Sequence, residues 1–124
     1  MHRDGGGRTV LVHLAPGVGN IVMATPLLVA LAEMDFTVDV RLDADYRETS
    51  ELFDDWHVVR RVLAGADPRL YEIVVPAVPP FYWRRFAAVY RGIGQAVPRP
   101  PDSRFYADEQ DYYFSFARAL GWKR

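Results

Sequence analysis

The tightest constraint on this chain lies near its start. Thr9 to Leu14 (TVLVHL) is β-branched and apolar with few interruptions, a pattern that suits a strand buried on both faces. Ala15-Pro16-Gly17-Val18-Gly19 cannot continue that strand, because a proline and two glycines mark a tight turn. A helical pattern follows over Asn20 to Met34, where Leu27, Leu28, Leu31 and Met34 recur at helical spacing. A strand that turns through Gly-x-Gly into a helix opens many parallel α/β sheets. In such sheets ligands bind beyond the carboxyl ends of the strands.

Pro26 admits two readings. Thr25 is the N-cap and Pro26 the first helical residue, or the helix begins near Asn20 and kinks at Pro26. Phe36 to Leu42 (FTVDVRL) alternates as a second strand. Asp43 to Trp56 sets Tyr46, Leu52, Phe53 and Trp56 among acids and reads as a second helix. Val58 to Leu63 is a short third strand, Ala64 to Pro68 a turn, and Tyr71 to Val75 a fourth strand that Pro76 to Pro80 ends. This order predicts an α/β fold: a single Rossmann-like domain over 9–124, mainly parallel and flanked by helices, after a flexible tail at 1–8. The short link between the third and fourth strands leaves their relative direction open. Phe81 to Arg91 is a short helix with Trp83, Phe86 and Tyr90 along one face, and Gly92 to Ser103 is loop. Asp108 to Leu120 is a last helix, acidic early and with Arg118 late, stopped by Gly121.

Composition removes several function classes. The net charge is −1 over 124 residues, so no basic excess favours nucleic acid. No apolar run approaches the roughly 20 residues of a membrane span, and Met1 to Arg8 lacks the apolar stretch of a secretory signal. The absence of cysteine excludes disulfides and thiolate-bound metals and suits a reducing cytoplasm. His2, His13 and His57 lack metal-ligand spacing, so neither a metal nor another cofactor is expected. Aromatic residues concentrate after Leu70. They serve core packing, or they form a greasy surface for a partner chain or a second copy.

The candidate binding residues gather at the first turn. Gly17, Val18 and Gly19 would let a ligand approach the backbone, and the helix behind them offers unpaired N–H groups. A dinucleotide pattern would want a third glycine at Met23, and no Walker lysine follows. Asn20 orients a ligand or caps the helix. His13 is a packed strand residue or a polar group at the site mouth. Asp43 and Asp45 fall where a ribose-binding acid would lie, with helix capping as the plainer role. Arg84, Arg85 and Arg91 hold a phosphate or form a solvated helix face. Ser50, Ser103 and Ser115 show no nucleophile elbow.

Gly17-Val18-Gly19-Asn20, Ile21-Val22-Met23-Ala24, Thr25-Pro26-Leu27-Leu28 and Ala30-Leu31 together resemble the amino-terminal domain of the heptosyltransferase-type glycosyltransferases. Tyr71 to Val75 and Glu109 to Gly121 are compatible with the same family, while the Gly17–Leu31 block is its specific part. The resemblance implies half of a GT-B architecture, in which this domain binds a sugar acceptor and a second domain binds the nucleotide sugar. It implies substrate contacts at Gly17, Val18, Gly19 and Thr25. It puts Asn20 at the position of the family's usual Asp base, and an amide cannot accept a proton at neutral pH. The sequence spans the acceptor half, so transfer is not expected from it alone. The alternative from a different class is a non-catalytic α/β binding or assembly module.

Overall fold

The computed structural model describes residues 8–15, 18–42, 49–90 and 109–123. Among them, strands β1 (Arg8–Leu14), β2 (Phe36–Arg41), β3 (Val59–Leu63) and β4 (Ile73–Ala77) form one parallel sheet in the order β3-β2-β1-β4. Helices α1 (Val18–Glu33), α2 (Pro80–Val89) and α3 (Glu109–Ala119) flank it. This is the Rossmann-like α/β arrangement that the strand–helix alternation predicts, and β4 proves parallel.

Side chains alternate between the two faces of a strand. Val10, Val12 and Leu14 of β1 join Val38, Val40, Ile73, Val75 and Ala77 in a core shared with α1 and α3. Leu11 and Val74 point the other way and pack with Tyr71 and Tyr90 in a smaller core. Every residue of β1 from Val10 to Leu14 is therefore buried, which explains an apolar run interrupted only by His13. In β2 Phe36, Val38 and Val40 join the larger core, whereas Asp39 bonds Tyr71 and Arg41 bonds Tyr90 on the second face.

Of the two readings of the Pro26 region, the helix that begins near Asn20 and contains Pro26 is the one found: α1 starts at Val18 and runs through Pro26. Proline has no N–H, so the Val22 carbonyl lacks its usual donor. The Thr25 hydroxyl donates to that carbonyl at 2.8 Å instead. Thr25 is thus a patch inside the helix rather than its cap. Leu27, Leu28 and Leu31 are fully buried beneath it.

The β3–β4 link occupies residues 64–72 with a single 3-10 turn, Pro68–Leu70, whose Asp67 carboxylate accepts the Arg69 N–H at 3.0 Å. Tyr71 then lies against Leu11, which carries the crossover over the second face. β4 begins at Ile73 rather than Tyr71, and Pro76 lies within it rather than ending it. An edge strand tolerates proline, and the Pro76 carbonyl accepts the Val78 N–H at 3.0 Å.

α3 lies along α1. Its Tyr112 hydroxyl donates to the Val78 carbonyl at 2.7 Å, at the carboxyl end of β4. Its far end closes as expected at Gly121, with φ +109°; Gly121 N–H reaches the Arg118 carbonyl and Trp122 N–H the Ala117 carbonyl, both at 3.0 Å. Arg8 belongs to β1 and pairs with Phe36, so the expected tail loses its last residue. In the second half of the predicted helix Asp43–Trp56 stands a 3-10 turn, Ser50–Phe53. Residues 43–48 and the loop predicted at 92–103 lie outside the described residues. Tyr71, Tyr90, Tyr112, Tyr113 and Phe116 are buried and Tyr82 is exposed, so the described aromatics mainly build core. No helix among the described residues is long and apolar enough to cross a membrane.

Candidate functional site

The strand order reverses at β1. From β1 the chain moves through α1 to β2 on one side, while β4 joins β1 on the other. Open α/β sheets bind ligands at such a switch point, beyond the carboxyl ends of the two strands. Leu14 and Ala77 are partners there. α1 begins just past β1 and α2 just past β4, and Tyr112 in the first turn of α3 is bonded to Val78. Three helix amino ends therefore open at one edge of the sheet. Each presents backbone N–H groups without helical partners.

Gly17 lies outside the described residues. Val18 opens α1, and Gly19 and Asn20 complete its first turn, so the turn expected over Ala15–Gly19 ends sooner. Asn20 is half-buried inside the helix and is not its N-cap. Gly19 is exposed, and among the described glycines only Gly121 has positive φ. A Cβ built on Gly19 would meet nothing within 4 Å. Neither backbone conformation nor crowding asks for glycine here, although glycine weakens a helix relative to alanine.

The other nominated residues scatter. Arg84 and Arg85 are exposed on α2; the Arg85 guanidinium lies 5.8 Å from the Tyr82 ring centre. Arg91, Asp43, Asp45, Ser103 and His2 lie outside the described residues. Ser115 is buried and donates to the Tyr112 carbonyl. Ser50 and His57 line an open cleft along β3 with Trp56, Arg60 and Arg61, at the far edge of the sheet from β4. Among the described residues no three His, Asp or Glu side chains gather where a metal ion would be held.

The sequence reading missed two polar groups on the second face. A bulge between Val38 and Asp39 pairs Val38 with Val59 and Asp39 with Arg61, leaving Arg60 as the extra residue. Both arginines thereby reach the fully buried Asp39 carboxylate. Arg60 binds it through Nε at 3.0 Å and Nη2 at 2.7 Å, Arg61 through Nη2 at 3.0 Å, and the Tyr71 hydroxyl at 2.6 Å. Burial alone would raise the Asp39 pKa, but hydrogen bonds from Arg60, Tyr71 and Arg61 outweigh it and hold the carboxyl below its ordinary value. Burial and the bond to Asp39 push the Tyr71 hydroxyl up to about 12. The adjacent Arg60-Arg61, which breaks strand alternation, was the signal of this bulge.

The second group is His13, Tyr90 and Arg41. Arg41 Nη1 donates to the Tyr90 hydroxyl at 3.2 Å, and that hydroxyl lies 2.6 Å from His13 Nδ1. A guanidinium only donates, so the Tyr90 hydroxyl accepts from Arg41 while sharing a second hydrogen bond with His13 Nδ1. Phe86 covers the ring at 4.9 Å. His13 is a packed strand residue beneath α2, buried to 3% exposure.

Compared with known proteins, the chain matches no family model, no curated protein and no solved structure.

Proposed function

We propose that this chain is an acceptor-binding domain of the glycosyltransferase type, with the sugar acceptor seated at the carboxyl edge between β1 and β4. The observation that carries this reading is Gly19. It occupies the first turn of α1 in ordinary helical conformation with open space where a Cβ would stand, so the fold itself gives no reason for glycine. Close approach of a ligand to the backbone does give one. The Gly17–Leu31 block supplies the chemical class.

In the complete reaction an acceptor hydroxyl attacks the anomeric carbon of the donor sugar. The new C–O bond forms as the bond to the nucleoside diphosphate breaks, and the hydroxyl proton passes to a base. Asn20 cannot take that proton; it orients the hydroxyl, and the base and the nucleotide sugar belong to a second domain or a partner chain. A cysteine-free chain suits cytoplasmic chemistry of this kind.

Gly19→Ala tests the reading by moving two measurements in opposite directions. Thermal unfolding is expected to rise by an amount equivalent to about 0.5–1 kcal/mol. Calorimetric affinity for sugar phosphates is expected to fall by an order of magnitude or more. A variant that binds them as well as the parent chain would overturn the proposal.

The second reading, a non-catalytic binding module, is favoured by the amide at Asn20. Supplying a donor domain to Asn20→Asp separates the two: restored transfer supports the enzyme.

A further inference from the structure

We infer that the cleft beside β3 binds a small zwitterion, its carboxylate held by the remaining N–H groups of Arg60 and Arg61 and its ammonium by Asp54 and Asp55. The site is separate from the acceptor edge and stands without that reading. β3 is an edge strand of the sheet, and the cleft beside it holds about 570 Å³, an ordinary size for a small-molecule site. It touches Val59, Arg60, Arg61 and Val62 in succession. Successive residues of a strand face opposite ways, so the cleft reaches around the strand's outer edge. On one side Val59 and Val62 continue the larger core with Phe53 and Trp56; on the other, Arg60 and Arg61 turn to Asp39.

Each guanidinium directs two of its five N–H donors, from Nε and Nη2, to Asp39. The rest have no partner among the described residues, and two positive charges face one buried negative charge. The Asp39 carboxylate fixes both forks in place, so a second carboxylate meets donors that are already oriented. Asp54 and Asp55 are exposed along the same cleft, and neither forms an ion pair with these arginines. Opposite charges that share a cleft without meeting suit a ligand that carries both. An anion alone would face the two acids, and a cation alone the two arginines. The Trp56 ring, half-buried and stacked on Phe53 at 6.2 Å, gives the cleft an apolar surface for the carbon chain that joins the ligand's charges. His57, exposed at the same cleft, adds a ring that can donate or accept a hydrogen bond.

The indole N–H resonance of Trp56, identified by its loss in Trp56→Phe, reports on the cleft in the parent chain. 4-Aminobutyrate and 6-aminohexanoate are titrated against hexanoate and hexylamine, which keep the carbon chain and one charge each. A saturable shift of the Trp56 signal is expected with at least one zwitterion, at an affinity about tenfold or more above either single-charge control. The double variant Asp54→Asn, Asp55→Asn should lose that advantage and bind the zwitterion no better than hexanoate. Its unfolding temperature should match the parent's, since both residues are exposed and asparagine accepts the φ of 58° at Asp55 as aspartate does. Hexanoate or hexylamine binding as tightly as the zwitterions would overturn the inference, as would zwitterion binding that leaves the Trp56 signal unmoved or survives the double variant. Absence of saturable binding by both zwitterions would overturn it as well.

Discussion

Asp39 is the residue on which most of the second face depends. Its carboxylate holds Arg60, Arg61 and Tyr71 at once, and it does so from complete burial. Asp39→Asn keeps the shape and removes the charge that two guanidinium groups face. Breaking a buried pair on one side costs roughly 3–5 kcal/mol; because both arginines remain partly in solvent, a loss of about 2–3 kcal/mol is expected in denaturant unfolding. The pH dependence carries the same signature. The folded carboxyl titrates below the ordinary 3.8, so its contribution is present above that value and disappears as pH falls through the lower folded one. The parent should therefore lose stability more steeply than Asp39→Asn below about pH 4. Tyr71 works in the opposite sense: raised from 10.0 to about 12, it contributes fully below pH 10.0 and loses that contribution as pH climbs toward 12.

At the scale of elements, two glycines near helix ends answer to different physics. Gly121 ends α3 at φ +109°, a conformation that an L side chain adopts only with strain, and the bonds from the Gly121 and Trp122 N–H groups close the helix. Gly121→Ala should lower stability by about 1–2 kcal/mol and loosen Trp122, which stacks on Phe114 at 4.8 Å. Near-ultraviolet circular dichroism and thermal unfolding read both effects. Gly19, at the other kind of helix end, has no such backbone reason, which is why alanine there should help the fold and harm the site. β3 shows how an edge is managed. It is short, bulged and bears two arginines, features that discourage pairing with another strand.

For the whole molecule, the four-stranded sheet reverses its order once, and the helix amino ends meet where it does. On the proposed reading an acceptor sits at that edge and the donor belongs to another domain or chain. The chain by itself is expected to show no sugar transfer from nucleotide sugars in a mass-detected assay. Turnover by the isolated chain would sink the proposal that the donor side lies elsewhere.

The amino-acid sequence by itself determined the class of fold. β1 had to be buried on both faces because its run of Val10, Leu11, Val12 and Leu14 is apolar, and Gly121 had to end α3. These are local matters of side-chain period and backbone freedom, so they are legible along the chain. Tertiary structure alone decided the rest. Pro26 reads locally as a start or a kink, yet α1 runs through it because its leucines are held in the core and Thr25 takes over a stranded carbonyl. Tyr71 could not be matched to Asp39, nor Tyr90 to His13, from positions so distant in sequence. Only the crossing of residues 64–72 and the seating of α2 bring those groups together. The burial of the Trp83 indole N–H, without a hydrogen-bond partner among the described residues, is invisible in sequence for the same reason: it belongs to neighbours that folding assembles.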